Sequence, residues 1–161
     1  MARTPTPTGT KLIAGNRKAR RNYEILETVE AGLVLRGSEV KSLRDAQVQI
    51  GDAFARIDDG EMWLLSMHVG VYEHSQHYSG HEPERKRKLL LHRAEIDRLR
   101  HIVDEQHLSL IPLSLYFKEG RVKVELALAR GRKTYDKRQV LAERDATREA
   151  ARAIARAGRG D

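Results

Sequence analysis

Arg121-Val122-Lys123-Val124-Glu125-Leu126-Ala127-Leu128-Ala129 decides the fold. Val122, Val124, Leu126 and Leu128 alternate with Arg121, Lys123, Glu125 and Ala127, and a period of two puts the aliphatic side chains on one face of a half-buried strand. Just upstream, Leu108–Phe117 reads as its partner, joined to it through Lys118-Glu119-Gly120. Pro112 has no N–H to give a ladder, so that partner is an edge strand or is bulged there. Further out, Ala53–Ile57 and Glu61–Leu65 flank Asp58-Asp59-Gly60, where Asp-Gly favours the tight turn whose twist matches paired strands. Tyr23 to Leu35 reads as two strand-like segments around Glu30-Ala31-Gly32, with the glycine supplying a positive φ for a hairpin.

Helical spacing interrupts these strands twice. Ser38 can cap a helix that carries Val40, Leu43, Val48 and Ile50 before Gly51-Asp52. Within His92–Gln106, Ile96, Leu99, Ile102 and Val103 form an amphipathic stripe. Between them, Val71–Glu84 is polar, rich in histidine and closed by Pro83, which reads as a long exposed loop. About six strands with two to three helices and no βαβ alternation predict a mainly β chain, an OB-like antiparallel barrel. The expected organisation is a flexible arm over residues 1–10, the barrel over 11–130 and a basic tail over 131–161.

Charge narrows the function. The 161 residues carry 30 Lys+Arg against 23 Asp+Glu, a formal +7, which favours phosphate-bearing partners. With no cysteine, disulfide scaffolds, thiolate zinc sites, iron–sulfur clusters and thiol catalysis are excluded, and a reducing cytoplasm is the simplest home. No run approaches the roughly 20 apolar residues of a membrane span, and the Thr/Pro-rich start lacks the apolar core of a signal peptide. Arg130–Asp161 holds ten basic and five acidic side chains, so +5 of the excess lies in the tail. Arg144, Arg148, Arg152 and Arg156 recur every four residues, and like charges at that spacing each cost a helix about 0.2–0.5 kcal/mol. Alanine-rich propensity and Asp145–Arg148 or Glu149–Arg152 pairs offset part of this. The tail is expected to be disordered when free and to order as a helix along a polyanion.

Catalysis finds little support. His68, His74, His77 and His81 have spacings that suggest a metal, but Tyr78-Ser79-Gly80 and Pro83 break any helix there and no carboxylate pattern completes a site. Glu39-Val40-Lys41 has the Glu-x-Lys spacing of some nucleases, without a second acidic ligand on a neighbouring strand. No phosphate-binding loop is present, and neither metal nor cofactor is expected. The basic segments Asn16–Arg21, Arg85–Arg93 and Arg130–Arg138, with Tyr23, Tyr78 and Tyr135 in or beside them, suit RNA better than a membrane, which would want large apolar residues opposite the charges. Trp63 falls inside a strand and is expected in the core.

Six strings in order carry a resemblance: Asn16-Arg17-Lys18-Ala19 with Tyr23; Glu30-Ala31-Gly32-Leu33; Gly37 with Glu39-Val40-Lys41-Ser42-Leu43-Arg44; Arg87-Lys88-Leu89-Leu90-Leu91; Leu113-Ser114-Leu115-Tyr116-Phe117-Lys118; and Ala129-Arg130-Gly131-Arg132-Lys133 with Asp136-Lys137-Arg138. Over Lys11 to about Arg148 the chain resembles the SsrA-binding (small protein B) family. The resemblance implies a non-enzymatic protein, monomeric when free, that binds the tRNA-like domain of transfer-messenger RNA. It also implies delivery of that RNA to bacterial ribosomes stalled without a usable stop codon, with the tail entering the vacant mRNA channel. Carried over, Asn16, Tyr23, Glu30 and Leu90, with Gly131, Arg132 and Lys133, should touch transfer-messenger RNA, and Arg17 and Lys18 should position its phosphates. Tyr135, Asp136, Lys137 and Arg138, followed by Arg144 and Arg148, should act in the decoding centre and mRNA channel. The composition supports equally a ribosomal protein or initiation-type factor on the same barrel; only the order of the motifs disfavours it.

Overall fold

In the computed structural model, which describes residues 9–71, 82–132 and 134–158, the strand that decides the fold is β9 (Arg121–Gly131). The chain order is β1 (Thr10–Gly15), α1 (Ala19–Asn22), β2 (Tyr23–Leu33), α2 (Gly37–Arg44), β3 (Val48–Gln49), β4 (Phe54–Asp58), β5 (Glu61–Leu65), β6 (His68–Val69), β7 (Arg87–Leu90), α3 (Arg93–Gln106), β8 (Ser109–Lys118), β9 and α4 (Thr134–Ala157). Six antiparallel strands run β8-β4-β5-β7-β2-β9, and β9 pairs back onto β8, which closes the OB-like barrel. Closure removes the sheet edges that would otherwise invite another chain.

Two of the expected hairpins form on the expected residues. Asp59 (φ 54°) with Gly60 (φ 75°) joins β4 to β5, and Glu119 (φ 52°) with Gly120 (φ 76°) joins β8 to β9. Both are two-residue loops with positive φ throughout, the geometry that follows strand twist.

The hairpin expected around Gly32 does not exist. β2 is a single strand of eleven residues that pairs with β9 from Tyr23 opposite Gly131 to Gly32 opposite Lys123. Gly32 lies flat in the sheet because Leu90 of β7 crosses it: a Cβ added there would lie 3.2 Å from the Leu90 Cβ. The first long helix is also shorter than its spacing suggests. α2 stops at Arg44, and Val48 pairs with Val69 in a two-strand ladder instead of continuing the helix. Its N-cap is Arg36, whose backbone N–H donates to Glu39 Oε1 at 2.8 Å, so Ser38 lies inside the first turn of the helix rather than at its cap.

The barrel interior holds Leu64, Leu89, Leu115, Val124 and Leu126; α2 adds Leu43, and α3 adds Ile96 and Leu99. Each such side chain contributes about 1.5–3 kcal/mol on burial. A smaller cluster lies on the opposite side of the sheet, where Ala19 of α1 covers Ile111, Leu113, Ala127 and Ala129. β9 is therefore buried on both faces from Leu126 to Ala129, and the alternation that identified the strand fades there.

Pro112 sits at a bulge, where the pairing of β8 with β9 slips between Pro112 and Ser114. The other edge of β8 is divided. β1 pairs with it from Lys118 to Ser114, and β4 pairs at Leu110, leaving the carbonyls of Pro112 and Leu113 without a strand partner. Asn16 fills the gap: its backbone N–H donates to Leu113 O at 2.8 Å and its Nδ2 to Pro112 O at 3.0 Å.

The tail is one helix, α4, of 24 residues, the conformation expected of it when ordered. Its alanine-rich stretch from Ala142 to Ala157 accounts for its intrinsic stability. From residue 141 to 158 its side chains are exposed except for half-buried Arg144. Neither Asp145–Arg148 nor Glu149–Arg152 closes to ion-pair distance, as befits exposed pairs whose gain is offset by side-chain entropy. The arm over residues 1–8, the histidine-bearing segment 72–81 and Lys133 lie outside the described residues.

Candidate nucleic-acid interface

The outward face of β7, β2, β9 and β8 is built by register. One cross-strand row runs Leu90, Gly32, Lys123, Tyr116 and Leu12, and the row beside it runs Glu30, Glu125 and Ser114. Leu90 and Leu12 are 52% and 59% exposed, so this face pairs two uncovered aliphatic side chains with charge. Gly32 leaves the middle of the first row open.

Glu30 is held firmly on that face. Its carboxylate accepts hydrogen bonds from Tyr116 Oη and from Lys118 Nζ, the latter at 3.3 Å. The Tyr116 bond, reinforced by Lys118 and Lys123, outweighs burial and keeps the Glu30 carboxyl below its ordinary range. Burial and the neighbouring Glu30 push the Tyr116 hydroxyl upward, so it stays a donor. The result is an ionised acceptor at the surface, suited to a sugar hydroxyl or a base N–H.

Tyr23 lies at the far end of the same strand. Seven residues at roughly 3.3 Å each separate it from Glu30 by about 23 Å. An odd separation should put the two on opposite faces, but β2 bulges between Ile25 and Glu27. The extra residue restores the parity, so Tyr23 and Ile25 share the outward face with Thr28 and Glu30. Around Tyr23 gather Gly131, directly opposite it, and Arg132, whose backbone N–H donates to Asn22 O at 2.9 Å. Asn16 is half-buried and its amide hydrogens serve the β8 edge; its Oδ1 is buried without a partner. Arg17 and Lys18 are exposed. The expected RNA-binding residues thus fall into two groups joined by β2, one around α1 and one around Glu30 and Leu90.

Tyr135, Asp136, Lys137 and Arg138 lie in the first turns of α4, where only the side chain of Arg138 is described, and it is exposed. Arg148, Arg152 and Arg156 are exposed along the helix, with no carboxylate at ion-pair distance among the described residues.

Two sequence expectations, the exposure of Arg87 and the burial of Trp63, need correcting. Arg87, in the middle of a basic segment expected at an RNA surface, is wholly buried: its Nε donates to Glu39 Oε2, and its Nη1 donates to Met67 O at 2.9 Å and Arg85 O at 2.8 Å. Glu39 is equally buried and also accepts from Arg85 Nη2 at 2.5 Å. Burial pushes its carboxyl upward, but the Arg36 N–H and the two guanidinia prevail and hold it below its ordinary range. Glu39 thus belongs to a structural ion pair with Arg87 and Arg85, and Lys41 of the same spacing stands exposed outside it. Trp63 is half-buried on the outside of the barrel, where Lys86 Nζ lies 4.7 Å from its ring centroid. Of the four histidines, only His68 is described; its Nδ1 lies 3.7 Å from Glu84 Oε1.

Sequence reasoning missed Tyr116, Lys118 and Lys123 as site residues. Tyr116 and Lys118 follow from the β8–β9 hairpin, but their approach to Glu30 depends on β2 pairing with β9 across some ninety residues of chain, which no local pattern announces.

The family model for the SmpB protein matches residues 13–156. An SsrA-binding protein from Mycolicibacterium paratuberculosis is 58% identical over 93% of this chain and 88% of its own length. Those from Frankia casuarinae and Mycolicibacterium smegmatis are 55% and 52% identical over 97% and 99% of this chain, and over 98% and 99% of their own lengths. A chain from a solved structure of tmRNA-SmpB at the center of the bacterial ribosome is 50% identical and superposes with a TM-score of 0.63, covering 75% of this chain and 85% of that one. Sequence and fold agree, and the chain belongs to the SmpB family.

Proposed function

We propose that this protein binds the tRNA-like domain of transfer-messenger RNA and brings it to stalled ribosomes, as a cytoplasmic RNA-binding component of trans-translation without catalytic activity. Relatives that match nearly end to end are SsrA-binding proteins, and the matching solved structure is one of tmRNA-SmpB on the ribosome. The observation that carries the residue assignment is the shared outward face: the bulge in β2 places Tyr23 and Glu30 on one side of the barrel, and Leu90 lies across Gly32 on that same side.

On this reading the barrel, over residues 11–130, grips folded RNA. Glu30 accepts hydrogen bonds from a sugar or base edge, Leu90 packs against an uncovered ribose or base, and Arg17, Lys18, Arg132 and Lys133 neutralise phosphates near Asn16, Tyr23 and Gly131. The segment 131–161 is the ribosomal part. Tyr135, Asp136, Lys137 and Arg138 engage the decoding centre, and the stripe begun by Arg144 and Arg148 lies along the polyanionic mRNA channel. Repulsion within that stripe falls when RNA phosphates neutralise it.

A pull-down from bacterial extract tests the reading. Recovery of transfer-messenger RNA together with ribosomal RNA is expected; ribosomal RNA alone would favour a ribosomal protein or initiation-type factor. Asp136→Ala with Lys137→Ala should leave RNA recovery intact and abolish tagging of stalled products.

A further inference from the structure

The tail helix leaves the barrel beside α1, the single turn of four residues from Ala19 to Asn22. The β2–β9 ladder ends where Tyr23 faces Gly131, and only Arg132 and Lys133 lie between that pair and the first residue of α4, a link that reaches about 10 Å at most. One further backbone bond extends the ladder, and its acceptor belongs to α1: Arg132 N–H donates to Asn22 O at 2.9 Å. The N–H of the same Asn22 donates to Lys18 O at 2.9 Å and closes the turn, so Lys18 and Arg132 are joined in series through one residue. Ala19 fixes the turn to the barrel, its buried methyl group lying over Ile111, Leu113, Ala127 and Ala129. Arg132 Nε is buried and lacks a hydrogen-bond partner among the described residues, so that side chain lies packed at the junction.

We propose that α1 aims the tail: RNA phosphates at Arg17 and Lys18 stabilise the α1 turn, and the formed turn holds Arg132 and fixes the direction in which α4 leaves the barrel. A turn of four residues is unfavourable by itself, because nucleation fixes several dihedrals for one hydrogen bond. Here it also carries like charges at helical spacing, Arg17 four residues and Lys18 three residues before Arg21. None of the three has a carboxylate at ion-pair distance among the described residues. Phosphates remove that repulsion and favour the formed turn. Two states follow. With the turn formed, Asn22 O meets the Arg132 N–H and α4 points one way; with the turn frayed, the acceptor is displaced and residues 132 and 133 become a swivel. A ligand that binds the first state better shifts the population toward it. Linkage is reciprocal, so the docked junction raises affinity for RNA by the same factor.

The proposal rests on the reading of α1 as part of the RNA surface, and its test separates the two. The chain has no cysteine, so Asp97→Cys with Ala151→Cys places one spin label on α3 and one on α4 of the full-length protein. The distance distribution between the labels is measured by double electron–electron resonance, with and without the isolated tRNA-like domain of transfer-messenger RNA. Saturating RNA is expected to narrow the distribution to a single distance. Arg132→Pro, which removes the N–H, should keep it broad at saturating RNA, whereas Arg132→Ala, which keeps the N–H, should let it narrow. By reciprocity Arg132→Pro should bind the RNA about threefold or more weakly than Arg132→Ala. Arg20→Gly and Arg20→Gln remove the same exposed charge from α1, but only glycine disfavours the turn. Arg20→Gly should therefore broaden the distribution where Arg20→Gln does not, and this pair decides the question if Arg132→Pro lowers thermal stability. A distribution that bound RNA leaves unchanged, or equal behaviour within both pairs of variants, would overturn the aiming role while leaving RNA binding intact. Absence of RNA binding by the unsubstituted chain would overturn both readings.

Discussion

Arg87 and Glu39 face each other with neither side chain reaching solvent, and the guanidinium also donates to the carbonyls of Met67, Pro83 and Arg85. One side chain thus ties together α2, the segment just after β5 and both sides of the turn that enters β7. The pair is an organising contact in a barrel where, among the described residues, the only other buried polar side chain is that of Ser42. Removing one partner strands a buried charge, whereas removing both does not.

Arg87→Met is therefore expected to cost about 3–5 kcal/mol in urea unfolding, and Arg87→Met combined with Glu39→Met to cost less than the single change. A single variant that unfolds at the wild-type urea concentration would show that the pair is dispensable.

The same ion pair sets a pH dependence. Glu39 titrates below its ordinary value of 4.5 in the folded chain, so the unfolded chain binds its proton first as pH falls. Its contribution to stability is fully present above pH 4.5 and is lost as pH drops through the folded value. The stability gap between wild type and Glu39→Gln should be widest at neutral pH and narrow below 4.5. Parallel unfolding curves from neutral to acid pH would contradict this.

On the outward face, Tyr116→Phe removes the leading hydrogen bond that holds the Glu30 carboxylate in place, a group that stays ionised at neutral pH without it. Net hydrogen-bond worth of about 1 kcal/mol predicts roughly a fivefold loss of affinity for transfer-messenger RNA at neutral pH. The fold should be unaffected, because the hydroxyl bonds to the exposed carboxylate and not to the core. Affinity equal to wild type would mean that Glu30 needs no holding.

Truncation after Arg132 should leave the barrel intact. The side chains of α4 from residue 141 onward are exposed apart from half-buried Arg144, and the helix approaches the barrel at α1. A thermal unfolding free energy within about 1 kcal/mol of the full chain is expected; collapse of the transition would show that the tail is part of the core.

The parts legible in the sequence are those fixed by neighbours in the chain. Asp59-Gly60 and Glu119-Gly120 declare their hairpins, the period of two declares β9, and Ile96 with Leu99 declares α3. Long-range relations are not legible in this way. Gly32 looks like a turn because a glycine's positive φ and its tolerance of a crossing side chain have the same local signature; only Leu90, nearly sixty residues on, separates them. Arg87 looks like one more cation in a basic run, since nothing local shows that Glu39 waits behind it. Trp63 looks like core because β5 is central, yet its side chain points outward and is covered by Lys86. In the site, Glu30 and Leu90 are accessible through the resemblance, whereas the bulge that aligns Tyr23 with Glu30 comes from pairing and not from pattern.

Whether the Glu30 face holds transfer-messenger RNA is decided by a gel shift of the full-length protein with the isolated tRNA-like domain, competed with ordinary tRNA and repeated with Glu30→Ala. A saturable complex is expected that excess tRNA does not displace and that Glu30→Ala weakens by roughly tenfold or more, as loss of a charged acceptor requires. Displacement by tRNA at equal concentration, or an unchanged shift with Glu30→Ala, would contradict it.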